Sequence, residues 1–214
     1  MKILVVAATE FEIAPFCNFI SNNPTGQHQY QTALTGIGLM HTAFSMQRLL
    51  AEVKADFIIQ AGVAGAYNEQ LALGSLVAVH TERLGDLGIE NRNEYLDIFE
   101  SGLIGSNEFP YKNGLLVNEL EKIPFPLSIP TVKGLSVNTV SGCSTTIENR
   151  ARIFNCDIET MEGAAFHYAC LWHNIPFLQI RSISNYVEPR DKNRWKMQEA
   201  IVGLNDYLIH LTEQ

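Results

Sequence analysis

MKILVVAATEFEIAPFCNFI, residues 1–20, decides the fold class. Ile3 to Ala7 is an unbroken apolar run rich in β-branched residues, the pattern of a strand covered on both faces. From Glu10 to Ile20 apolar residues recur at helical intervals, so a strand gives way to a helix within three residues. The same alternation returns downstream. Tyr30 to Thr35 alternates, Gly36-Ile37-Gly38 breaks the pattern, and Met40 to Val53 carries the helical stripe Ala43, Met46, Leu49 and Leu50. Phe57 to Ala61 and Ser75 to Val79 are further strands, the first ending at Gly62-Val63-Ala64-Gly65. Later come a strand over Leu135 to Val140, a helix over Thr146 to Phe154, and a short strand at Ile158 leading into a helix over Gly163 to His173. Phe177 to Ser184 is a β-rich run after Pro176, and Arg194 to Leu211 is a closing helix. Strands alternating with helices predict an α/β fold with a sheet covered by helices on both faces. The stretch 85–130 differs in kind: rich in Gly and Asn and interrupted by Pro110, Pro124, Pro126 and Pro130, it is expected to run over the surface.

Composition narrows the function. A chain of 214 residues, 46% of them hydrophobic, suits one sizeable core, so a single domain over 1–214 is expected. The formal charge of -8 and the absence of any basic run argue against nucleic acid as a partner. Cys17, Cys143, Cys156 and Cys170 form no C-x-x-C pair, and the six histidines show no H-x-H or H-E-x-x-H spacing. No metal and no disulfide framework are therefore expected. The apolar start is too short for a signal peptide, and no stretch approaches the roughly 20 apolar residues of a membrane span. A cytoplasmic protein without a membrane association is the expectation.

In open α/β sheets ligands settle beyond the carboxyl ends of the strands. Five segments meet that rule. Ala8-Thr9-Glu10-Phe11-Glu12 puts carboxylates in the first turn of a helix, where they also complement the helix dipole by about 0.3 to 1 kcal/mol without any ligand. Gly62-Val63-Ala64-Gly65 lets a ligand approach the backbone, although glycine clusters are ordinary turn material. Neither it nor Gly36-Ile37-Gly38 extends into G-x-G-x-x-G or G-K-[ST], so no dinucleotide or triphosphate cofactor is expected. Ser141 to Thr146 is rich in hydroxyls before a helix, as an N-cap also requires. Glu159-Thr160-Met161-Glu162-Gly163 sets two acids before a helix of small residues. Arg181-Ser182-Ile183-Ser184-Asn185 closes an apolar strand, and an Arg inside such a run must find a partner or a cleft.

Taken in order, MKILVVAATEFE (1–12), TGIG (35–38), AGVAGA (61–66), Ser141-Gly142, ETMEG (159–163) and RSISN (181–185) resemble the nucleoside phosphorylase and nucleosidase superfamily. Within it, the chain is most similar to the methylthioadenosine/S-adenosylhomocysteine nucleosidases and their futalosine hydrolase relatives. The resemblance covers nearly the whole chain. It implies a central, mixed, twisted sheet, a homodimer, and cleavage of the bond between a purine and a ribosyl group. It also implies that Glu12 is the base holding the attacking water, that Met161 and Glu162 lie against the ribose, and that Ser184 and Asn185 sit at the purine. Ser144, Thr145 and Thr146 would line the base pocket, and Arg181 would support the site through an acidic neighbour. A carboxylate at position 12 stands where phosphorylases of this superfamily bind phosphate, which favours water as the nucleophile.

Two departures from the adenine-releasing nucleosidases bear on the substrate. Asn185 stands where they have Asp; an amide donates toward N7 or O6 but cannot protonate the leaving base. A carbonyl and an amino group present opposite hydrogen-bonding signs, and a buried mismatch costs about 1 to 3 kcal/mol. A 6-oxopurine follows, and futalosine is the expected purine nucleoside, cleaved to hypoxanthine and dehypoxanthine futalosine on the way to menaquinone. Val63 stands where the nucleosidases have Ser, which makes the sugar region more apolar. The stretch from Gly85 to Gly114, with Phe99, Phe109 and Tyr111, resembles futalosine hydrolases; Arg83 or Arg92 would meet the carboxylate at the far end of the substrate. The rival readings are a methylthioadenosine/S-adenosylhomocysteine nucleosidase, a phosphate-dependent purine nucleoside phosphorylase, and a non-catalytic nucleoside-binding protein.

Overall fold

The structure is a computed structural model that describes residues 1–23, 27–92 and 94–213. Strand β1 (Lys2–Ala7) is buried from Ile3 onward, and α1 (Glu10–Asn22) starts after the extended residue Thr9. The pair β2 (Gln29–Leu34) and α2 (Leu39–Glu52) follows, joined through Gly36 and Gly38, whose φ values of 81° and 91° lie where side chains are disfavoured. Strand β3 (Phe57–Ala66) runs five residues beyond the expected Ala61, and β4 (Leu76–Leu84) extends past Val79 in the same way. Next come β5 (Gly88–Asn91), β6 (Glu94–Asp97), β7 (Leu116–Val117) and β8 (Thr131–Ser136). The order closes with α3 (Ser144–Phe154), β9 (Ile158–Thr160), α4 (Gly163–Trp172), β10 (Phe177–Tyr186) and α5 (Met197–Leu211).

Eight strands form one mixed sheet. Strand β3 has β10 along one edge and, along the other, first β1 at Phe57 to Gln60 and then β9 at Gly65 and Ala66. Because β10 leads through β4 and β8 to β9, the sheet returns to β3 and curls shut, with β1 and β2 as its extension. The pairs β10–β4 and β3–β9 are antiparallel, whereas β1–β2, β1–β3 and β3–β10 are parallel. Between Gln60 and Gly65, β3 has no strand on its second edge. The candidate site lies at this gap.

Alternation along β1 divides the core between the two faces. Ile3, Val5 and Ala7 pack with Ile13 and Phe16 of α1 and with Leu204, Leu208 and Leu211 of α5. Leu4 and Val6 pack on the opposite side with Met46 and Leu49 of α2 and Phe166 and Cys170 of α4. Each fully buried side chain of this size contributes about 1.5 to 3 kcal/mol, so both faces of the sheet require their helices. The stretch 85–130, expected to run over the surface, holds the β5–β6 hairpin, pairs β7 with β4, and sends Leu116 and Phe125 into the interior. Among the described residues, no helix is long and apolar enough to cross a membrane.

Candidate active site

A cavity of about 400 Å³ opens beyond the carboxyl ends of β1, β3 and β10. Thr9, Phe11 and Glu12 reach it from the start of α1, Val63 to Gly65 from β3, and Glu159 to Glu162 from β9 and the turn after it. Ser184 and Asn185 close the end of β10, while Arg190 and Trp195 arrive from the loop before α5. A smaller space of about 80 Å³ adjoins it and shares Gly65, Val140, Glu159 and Asn185.

Glu12 is the third residue of α1, so its side chain folds back over the helix start. Its Oε2 accepts the Thr9 N–H and hydroxyl, both at 3.0 Å, and its Oε1 accepts the Val63 N–H at 3.3 Å from the unpaired edge of β3. Burial raises the pKa of this carboxyl; the Arg181 guanidinium and the Thr9 hydroxyl work against that rise, and Glu162 adds to it. Glu162 accepts the Gly38 N–H at 3.1 Å through Oε1 and faces Arg181 Nη1 at 3.5 Å through Oε2. The Arg181 side chain is therefore not a solvated cation but a buried strut. Its Nη2 donates to Gln60 Oε1 at 2.9 Å, and it reaches Val63 O and Glu162 through Nη1. Leaving this guanidinium unpaired would cost several kcal/mol or so; Glu162 supplies the neighbouring charge.

Ser184 and Asn185 fix one another. The Ser184 hydroxyl donates to Asn185 Oδ1 at 2.8 Å, and Asn185 Nδ2 donates to Tyr186 O at 2.9 Å. A carbonyl only accepts, so the amide nitrogen must face Tyr186. One amide hydrogen stays free for the cavity. Met161 and Val63 also border this space, so Glu12, Val63, Met161, Glu162, Ser184 and Asn185 come together, with Arg181 beneath them.

Ser144, Thr145 and Thr146 do not border the cavity, contrary to expectation. The reason is local: β8 ends at Ser136 instead of Val140, so the segment after it loops over the site and delivers Val140 and Ser141, while α3 starts at Ser144 and leads away. Arg83 and Arg92 do not border it either. Arg83 is held by Asp97 at 2.9 Å, and Arg92 lies against a separate surface hollow with Glu90 and Glu94. The cation that does border the cavity is Arg190, whose guanidinium carbon lies 5.2 Å from the centre of the Trp195 ring. Neither residue sits in a strand-end motif, so spacing gave no sign of them. Glu159, the first of the two acids before α4, lines both spaces, a placement that its motif does not signal. Among the described residues no group of three or more His, Cys, Asp and Glu side chains could hold a metal ion.

Behind Glu162 lies a second buried carboxyl, that of Glu82 on β4, which has no solvent exposure. Gln179 Nε2 donates to its Oε1 at 2.9 Å and the Ser136 hydroxyl to its Oε2 at 2.9 Å, while Ser136 Oγ also accepts the Ala164 N–H at the start of α4. Burial pushes this carboxyl up to about 7 against those hydrogen bonds. The folded protein then holds a proton that the unfolded chain releases near 4.5, so the stabilisation is full below that pH and is lost as pH rises toward 7. The loss amounts to about 3 kcal/mol. Denaturant titrations at pH 4.5 and 7.5 should show it, and the Glu82→Gln variant should lack it; an unchanged slope in that variant would rule this group out. His167 is also fully buried, and burial pushes it down to about 3, so it stays neutral with one ring nitrogen unpartnered.

The model of the phosphorylase superfamily matches residues 2–202. The futalosine hydrolase of Thermus thermophilus is 32% identical over 174 residues, which span 79% of this chain and 75% of that protein. The 5'-methylthioadenosine/S-adenosylhomocysteine nucleosidase of Maridesulfovibrio salexigens is 28% identical over 208 residues, 87% of each chain. The solved futalosine hydrolase of Helicobacter pylori shares the fold with a TM-score of 0.80 at 14% identity, covering 98% of this chain and 96% of that one. With a family match that leaves out only the first residue and the final helical turns, this chain belongs to the phosphorylase superfamily.

Proposed function

We propose that this chain hydrolyses the N-ribosidic bond of futalosine, releasing hypoxanthine and dehypoxanthine futalosine on the way to menaquinone. The observation that carries the reading is the Asn185 amide, held by Ser184 and Tyr186 with one N–H free beside the cavity. It donates to O6 or N7 of a 6-oxopurine; the similarity to the Thermus thermophilus futalosine hydrolase supports the same substrate. Cleavage builds positive charge on the sugar and negative charge on the departing base. Glu12 takes a proton from water as that water attacks the anomeric carbon. Glu162, backed by Arg181, accepts hydrogen bonds from the ribose hydroxyls with Met161 alongside, and Asn185 steadies the purine anion until it is protonated. Two carboxylates at the sugar repel phosphate, so water is the nucleophile.

The test is a screen of futalosine, methylthioadenosine and inosine, each with and without phosphate, scored by chromatography of the released base. Hypoxanthine from futalosine without phosphate is expected. Faster adenine release from methylthioadenosine, or a requirement for phosphate, would replace this reading with a nucleosidase or a phosphorylase.

The assembly belongs to the same proposal. Met40 and Phe44 are each 74% exposed one turn apart on α2, and on α4, which packs along α2, Trp172 is 55% exposed and lies against Phe109. Apolar surface of this kind suits a homodimer. Light scattering should give twice the mass of the chain, and Phe44→Asp should halve it; a monomeric parent protein would reject the dimer. A cytoplasmic location is part of this reading, since its four cysteines are free and would stay reduced there.

A further inference from the structure

We infer that Glu159 is a specificity-determining residue that accepts the N1–H of a 6-oxopurine and thereby excludes adenine. This rests on the proposed binding of a purine against Asn185. The inference begins with strand register. Gly65 on β3 is paired with Asn185 of β10 on one side and with Glu159 of β9 on the other. Paired residues on neighbouring strands project from the same face of a sheet. Strand β10 is bulged between Ile183 and Asn185, but Asn185 Nδ2 still lies over the face that a Cβ on Gly65 would take, so Asn185 and Glu159 flank a position that carries no side chain. Their backbones lie two strand spacings apart, roughly 10 Å, which gives room for the N1, O6 and N7 edge of a purine with a hydrogen bond at each end. The central glycine leaves this space uncrowded, because a Cβ there would lie 3.1 Å from Asn185 Nδ2 and 3.0 Å from Val187 Cγ2.

The carboxylate is held at both oxygens but saturated at only one. Oε2 is saturated by the Ser141 hydroxyl at 2.6 Å, the Tyr67 hydroxyl at 2.8 Å and Arg150 Nη1 at 3.2 Å. Oε1 accepts a single bond, from the Ser141 N–H at 2.7 Å, and so keeps a lone pair. Arg150 is itself fixed by Thr139 O at 2.8 Å and faces Asp86 at 3.6 Å, so Glu159 is turned by a rigid frame and not by solvent. Glu159 is 5% exposed and lines both cavity spaces.

The two ends of the slot match one base and oppose the other. Hypoxanthine offers a donor at N1 and acceptors at O6 and N7, which meet the carboxylate and the amide N–H. Adenine in the same pose sets its N1 lone pair against the carboxylate and its 6-amino group against the amide N–H, two mismatches at once.

Calorimetry with free bases tests this apart from the ribosyl end of the substrate. The parent protein should bind hypoxanthine about ten- to a hundredfold more tightly than 1-methylhypoxanthine, which lacks the N1–H, as expected for a hydrogen bond to a charged group. Glu159→Gln should bring the hypoxanthine-to-adenine affinity ratio down by about tenfold. Equal binding of hypoxanthine and 1-methylhypoxanthine by the parent protein would overturn the assignment even if the variant does not fold, and so would an unchanged ratio in a folded variant. Failure to cleave futalosine, with N1–H-dependent binding retained, would reject the proposed substrate and leave the role of Glu159 standing.

Discussion

Glu12→Gln is expected to lower kcat by about 10²- to 10⁴-fold, the range for loss of a positioned general base, while hypoxanthine binding stays near the parent value. The two effects separate because the two halves of the cavity are built from different elements. Glu12 hangs from the first turn of α1 and touches Thr9 and Val63, whereas the proposed base slot lies between Asn185 and Glu159. A glutamine of the same length has one carbonyl oxygen, so it can accept from Thr9 or from Val63 but not from both, and its NH2 cannot take a proton from water. The pH profile gives an independent check. As the proposed base Glu12 must be ionised to act, and burial lifts its pKa above the ordinary 4.5 despite Arg181 and Thr9. The kcat/KM of the parent protein should therefore fall on the acid side with a midpoint above 4.5, and the residual activity of Glu12→Gln should lack that limb. A variant turning over at the parent rate would reject Glu12 as the base.

The residues of this half were legible because local signals and the site coincide there. An apolar run followed by acids at a helix start marks both β1–α1 and Glu12, and a charged residue inside the apolar β10 run announces Arg181. What stayed hidden depends on partners distant in the chain. Gly62 to Gly65 looks like turn material, since glycine has little strand preference, yet β10 pairs along it and β9 caps its far edge. Those pairings close the sheet, and no periodicity in a three-residue strand such as Ile158–Thr160 could announce one of them. The misplaced Ser144 to Thr146 has the same origin. Val137 to Val140 reads as the end of a strand, but the pairing of β8 with β9 ends at Ser136, and the residues between it and α3 become the loop that carries Val140 and Ser141 over the cavity. Glu159 acquires a role only through the neighbours that this closure brings to it.

Closure also makes Gly62 a sensitive backbone position of the site, and Gly62→Ala is expected to reduce kcat/KM by more than about a hundredfold, the cost of a shift near 1 Å in the reacting groups. A Cβ at this position would overlap Arg181 Nη1, well inside van der Waals contact, and would lie 3.0 Å from Glu12 Oε1. Neither group can retreat freely. Arg181 is 1% exposed and tied to Gln60, and Glu12 is held by three hydrogen bonds. Strand β3 is equally constrained by β10 along that edge. The added methyl must therefore push the guanidinium off Glu162 or turn the Glu12 carboxylate away from the sugar, and either displacement removes charge placement that catalysis needs. The cost in stability is smaller, about 1 to 3 kcal/mol for overpacking, so a folded but inactive variant is expected. Kinetics beside a denaturation curve decide the matter: near-parent kcat/KM in Gly62→Ala would mean that Arg181 and Glu12 do not act from the positions described.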